Sequence, residues 1–155
     1  MKLKKLGPFK WNGLFWYNQV VVGNALLDIG ILASEGQTEI VAELGPIAIR
    51  FPYFWEANRE SIVEVARRWL GKVGSKDDAR PKQCSLETVV LASGWTVGLY
   101  VDKQNLRKPF FELLLSFEHD RAPIYGDGVK VQISGALPDD LVVNPKQLDV
   151  QFLDL

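Results

Sequence analysis

The chain has 155 residues, 47% hydrophobic and 24% charged, the composition of an ordinary globular domain large enough to fold without a disulfide or a metal. Its 18 basic and 19 acidic residues leave a net charge of −1, which removes any general attraction to phosphate backbones or anionic membranes, so neither a nucleic-acid nor a membrane partner is expected. With one cysteine, Cys84, and one histidine, His119, the chain cannot form an internal disulfide and has too few ligands for a zinc site of the usual kind.

Lys2, Lys4, Lys5 and Lys10 make the first ten residues basic, and residues 1–10 are expected to be a poorly ordered terminus. Gly7, Pro8, Lys10 and Asn12 interrupt the apolar run that a signal peptide needs, and no stretch of about 18 apolar residues follows. The expectation is a soluble, cytoplasmic protein with a single domain over 1–155.

Leu14 to Val22 is rich in aromatic and β-branched residues, and Ala25 to Leu32 is a second apolar run. Gly23-Asn24 between them can adopt the positive φ angles of a two-residue turn, so a β-hairpin is predicted. Ser34-Glu-Gly-Gln37 has the form of a helix-capping box. The segment 38–51 reads as helix or strand, with Pro46 and Pro52 confining Ile47 to Phe51. The clearest helix covers about 55–70: Trp55, Ile62, Ala66 and Trp69 share a face, and Gly71 suits the position just past its end. A polar surface loop over 73–83 follows, and Leu86 to Leu91 is a short helix or strand.

The second half alternates with period two. Trp95, Val97, Leu99 and Val101 form one set, Phe111, Leu113, Leu115 and Phe117 the next, and Val129, Val131 and Ile133 the last. The links between these strands suit antiparallel neighbours. The fold class is therefore α+β: a mainly antiparallel sheet with one long helix packed on one face. Expected core residues are Val20, Ile29, Ile62, Ala66, Trp69, Val97, Leu99, Leu113, Leu115, Val131 and Ile133. The apolar groups beyond Pro138 are expected to pack down at least in part.

Neither a phosphate-binding G-x-x-x-x-G-K-[ST] loop nor a G-x-G-x-x-G turn occurs, and no cofactor, metal or catalytic residue is assigned. Glu118-His119-Asp120 is the densest reactive cluster. Its chemical reading makes His119 a general base in a small hydrolase-like enzyme, with Glu118 or Asp120 as orienting acid. However, neighbours on a strand point to opposite faces, so a polar strand end leading into a turn is the plainer reading. Cys84 reads as a small buried hydrophobe. Two aromatic clusters, Phe15-Trp16-Tyr17 and Tyr53-Phe54-Trp55, stand out. Trp16 and Tyr17 must point to opposite faces of a strand, one into the core and one to the far side. Near Phe54 and Trp55, the outer one would make a hydrophobic patch of the kind that marks interaction sites.

The strand end Phe117-Glu118-His119-Asp120, with the later Asp127-Gly128-Val129, resembles the strand-and-hairpin pattern of a group of small bacterial domains of unknown function. Some of these occur among toxin-immunity proteins. The pattern's glycine after the histidine is replaced here by Asp120, and the resemblance spans roughly Thr88 to Gly135. It implies a non-catalytic, cytoplasmic binding protein that neutralises a toxin. A structural component that mainly self-associates is the other binding role considered. The candidate binding residues are Trp16, Tyr17, Phe54, Trp55, Glu118, His119 and Asp120, and the expected partner is a protein or a second copy.

Overall fold

The Gly23-Asn24 turn joins β2 (Trp16–Val22) to β3 (Ala25–Ile31) as a two-residue hairpin, with Gly23 at φ +62° supplying the left-handed backbone the turn requires. The structure, a computed structural model, describes residues 8–74, 88–119 and 129–152. Ahead of the hairpin, β1 (Lys10–Trp11) pairs antiparallel with the start of β2. Phe9 packs against the core beside Gly45. The poorly ordered terminus expected over 1–10 is thus corrected at Phe9 and Lys10, because burial of one aromatic ring and the pairing of β1 hold them.

Ser34 and Gln37 close on each other: the Ser34 N–H donates to Gln37 Oε1 at 2.9 Å and the Gln37 N–H to the Ser34 carbonyl at 3.0 Å. This makes a turn before the helix rather than a capping box, since α1 (Thr38–Ala48) begins after Gln37 without a side-chain cap. Pro46 sits inside α1, and Ile47 and Ala48 complete its last turn. The Arg50 carbonyl accepts from Tyr53 and Phe54, which starts α2 (Phe51–Gly74). Pro52 falls in the first turn, where a missing N–H costs nothing. The structure therefore corrects the single helix over about 55–70 to two helices, the second starting at Phe51 and running past Gly71.

The remaining strands are β4 (Thr88–Val101), β5 (Arg107–His119), β6 (Val129–Ala136) and β7 (Asp149–Phe152). All seven lie in one sheet in sequence order. Every neighbouring pair is antiparallel except β3 and β4, which run parallel where Ile29–Ile31 meets Trp95–Val97. That pair is parallel because α1 and α2 carry the chain back across the sheet between them. The α+β class with a mainly antiparallel sheet is thus observed. Of the segment 86–91, Thr88 to Leu91 belong to β4 and the rest lies outside the described residues. Val73 and Gly74 finish α2; the remainder of the 73–83 loop, and Cys84 after it, also lie outside them.

Both helices lie on one face of the sheet, α1 against β3 and β4 and α2 against β2 and β6. That face holds the core. Trp95 is its centre, with ring centroids of Phe54, Phe51 and Phe111 at 4.6, 4.7 and 5.3 Å. Among the described residues the buried Trp95 indole N–H has no hydrogen-bond partner, a cost of roughly 1–3 kcal/mol that the packing of three rings has to offset. The expected core residues are buried except Trp69 and Leu99, which are half-buried at its rim.

Asn58 is the polar member of this core. Its amide donates to the carbonyls of Phe54 and Leu141 at 2.8 and 2.6 Å and accepts from the Val143 N–H at 3.1 Å. It thereby seats the segment 138–143 on α2, with Leu141 and Val143 buried and Val142 exposed. A 3₁₀ turn at Pro145–Gln147 then leads into β7. Among the described residues, no helix is long and apolar enough to cross a membrane.

Candidate interaction surface

A sheet with helices on one side leaves its other side to solvent or to a partner. The cross-strand register shows which residues that open face carries. Lys10, Tyr17, Gly30, Thr96 and Glu112 form one continuous row across β1 to β5. One pair further along β4 and β5, Gly98 lies opposite Phe110, and Tyr100 lies opposite Lys108. The alternation that sends Trp95, Val97, Phe111 and Leu113 into the core sends these residues outward.

Two glycines set the relief of the face. A methyl group at Gly98 would lie 2.6 Å from Phe110 Cζ, and one at Gly30 would lie 3.0 Å from Phe15 Cδ2. Each ring therefore lies directly against the strand, where any larger residue would lift it. Tyr100 stands beside Phe110 with centroids 6.2 Å apart. Leu32 and Tyr100 are each 40% exposed, while Phe15, Tyr17 and Phe110 are half-buried. The result is a broad apolar platform of Phe15, Tyr17, Leu32, Tyr100 and Phe110. Among the described residues, no helix or strand packs over it.

Polar groups border the platform. Gln19 donates to Asp28 at 2.9 Å, and Ser116 donates to the Ser93 hydroxyl at 3.1 Å beside the β4 irregularity at Ala92–Gly94. At the far end of β4, Asp102 organises the turn to β5. Its carboxylate accepts from the N–H groups of Gln104 and Leu106, each at 2.9 Å, and meets Lys108 Nζ at 3.3 Å. The Leu106 N–H is the strongest influence holding this carboxyl below its ordinary range; partial desolvation opposes it, and Gln104 and Lys108 reinforce it.

The candidate residues read from the sequence separate into three places. Trp16 and Tyr17 do point to opposite faces. Trp16 packs against the core rim, 5.9 Å from the Trp11 ring, and its indole donates to the Ser34 carbonyl at 3.0 Å. Tyr17 joins the open face. Phe54 and Trp55 are corrected: they lie on the buried side of α2, fully buried and 9% exposed, so they form no patch with Tyr17. The helix starts early enough for both to face the sheet. Glu118 and His119 are the last residues of β5, opposite Val89 and Thr88, and Asp120 lies outside the described residues. That strand end is about seven residues, some 23 Å, along β4 from the Tyr17 row. The structure does not bring these groups together.

Phe15 is visible in the sequence as one of three adjacent aromatics, whereas Leu32, Tyr100 and Phe110 do not stand out there. Their signal was the second set of each alternating strand, where Gly98 and Phe110 occupy positions that a solvent-facing strand fills with polar residues. A concavity of about 280 Å³ lies between α2 and β7 and is lined by Val65, Arg68, Trp69, Leu148, Asp149 and Val150. It is partly open to solvent, with its Arg68 engaged by Glu64. Among the described residues, no three His, Cys, Asp or Glu side chains gather as a metal site would need. No protein-family model matches the chain, and neither curated proteins nor solved structures give a match.

Proposed function

We propose that this chain is a non-catalytic protein-binding domain that presents the open face of its sheet to a protein partner. The observation that carries this reading is the apolar platform of Phe15, Tyr17, Leu32, Tyr100 and Phe110 on the face opposite both helices. Aromatic side chains on a rigid sheet lose little conformational freedom on binding, and they supply most of the energy where interfaces are tight. Neutralising a toxin is one form of this role, and it rests only on the Glu118-His119 strand end.

Site-specific photo-crosslinking in cells tests the reading. A crosslinker at Tyr100 should capture a discrete protein that one at Glu56, exposed on α2, does not. That protein, once purified, should bind the chain in solution and lose roughly tenfold or more in affinity for Tyr100→Glu. Equal capture at the two positions, or unaltered binding by the variant, would overturn the assignment.

A further inference from the structure

We infer that the open face is a self-complementary surface on which two copies of this chain meet about a two-fold axis at Gly30. The inference rests on the reading of that face as a protein-docking surface, and it names the occupant. Its foundation is the row Lys10, Tyr17, Gly30, Thr96, Glu112. A two-fold axis parallel to the strands at Gly30 exchanges the β1 member of that row with its β5 member, beyond which the register continues through Ser134 to Asp149. Lys10 of one copy then faces Glu112 of the other, twice per dimer, and Tyr17 faces Thr96. Neither Lys10 nor Glu112 has an ion-pair partner among the described residues of a single copy.

The centre of the row suits close approach. The Phe15 ring lies across Gly30, with Thr96 beside it, so a ring sits at the axis with Leu32 next to it. An isologous contact sets a surface against itself, so a face of one charge sign would repel its own copy. The described side chains of this face carry both signs, Lys10, Lys108 and Lys130 against Asp28, Asp102, Glu112 and Asp149. A strongly acidic or basic partner would find no complementary field here.

The area suits a weak, reversible contact. Strands about 4.8 Å apart, seven residues long in β2 and β3 but only two in β1, overlap over roughly 400 Å² when β1 faces β5 and β2 faces β4. Two copies together bury roughly 800 Å², the size of a weak, transient interface. Sheets pack face to face at about 10 Å with a modest rotation, and that rotation disturbs pairs near the axis least.

Sedimentation velocity on the full chain over a range of concentrations is the test. The wild type is expected to dimerise at about 100 µM or below. Lys10→Glu and Glu112→Lys should each weaken dimerisation by roughly tenfold or more, because like charges then meet twice. An equimolar mixture of these two variants should recover dimer, since each restores an opposite-charge pair to the other. Leu32→Arg, at an exposed position beside the axis, should also give monomer and serves if Glu112→Lys folds poorly. A wild type monomeric throughout, or a mixture no more dimeric than its components, would overturn the inference. If the chain is monomeric yet the Tyr100 crosslinker still captures a different protein, the second copy is refuted and the docking face stands. If neither self-association nor selective crosslinking occurs, both fall.

Discussion

Phe15-Trp16-Tyr17 and Tyr53-Phe54-Trp55 are each three aromatic residues in a row, yet the fold uses them in opposite ways. The first triplet enters a strand, whose two-residue period sends Trp16 to the core side and Phe15 and Tyr17 to the open face. The second lies in the first turns of α2, where a step of about 100° per residue lets neighbours share a broad apolar stripe. Phe54 and Trp55 are consequently both buried, and Phe54 touches the ring of Trp95. Local composition is nearly the same in the two triplets. Backbone period alone makes one a core anchor and the other part of a surface, which shows that an aromatic cluster is evidence for neither until its secondary structure is known.

Truncation experiments can break or sharpen this contrast. Phe54→Ala should have the largest effect, about 3–5 kcal/mol, because it opens a cavity among Phe51, Trp95 and Phe111. A denaturant midpoint close to wild type would show that the α2 triplet is not the anchor described. Asn58→Ala, one turn later, removes the side chain that satisfies the Leu141 carbonyl and the Val143 N–H. We expect a loss of about 1–3 kcal/mol, with faster amide exchange over 141–143. Unchanged exchange there would mean that the segment holds itself on α2.

Within the first triplet the two neighbours should part company. Trp16→Ala is expected to cost about 1–2 kcal/mol, less than a full core deletion because the ring is half-buried at the sheet's edge. Tyr17→Ala should change stability by less than about 1 kcal/mol and act on association. Parallel melting of both variants measures the difference, and equal losses would contradict the division of faces. The smallest effect concerns Asp102, beside the open face. Its carboxyl sits below the ordinary value of 3.8, so its contribution is present above that value and is lost as pH falls through the lower folded value. The N–H groups of Gln104 and Leu106 should therefore lose protection only in that acid range. Asp102→Ala should remove their protection at neutral pH as well, and a variant retaining it would show that the turn needs no carboxylate.

Period-two patterning made β4, β5 and β6 legible, as the burial of Val97, Leu113, Leu115, Val131 and Ile133 confirms. The Gly23-Asn24 hairpin was equally legible, because a two-residue turn has few chemistries. Those features depend on residues close together in the chain, whose geometry is set by local sterics and by which side chains avoid water. What the residues alone left open lies where distant segments compete for the same space. The segment 38–51 became helical because Pro52 falls in the first turn of α2, where its missing N–H costs nothing, and because Leu44, Ala48 and Phe51 find the sheet beneath them, burial that offsets the hydrogen bond lost at Pro46 inside α1. The parallel join of β3 to β4 exists only because two helices bridge it. The open face was likewise invisible, since its row of Lys10, Tyr17, Gly30, Thr96 and Glu112 draws on five strands. No window of sequence contains that row, and only strand pairing brings its members into line.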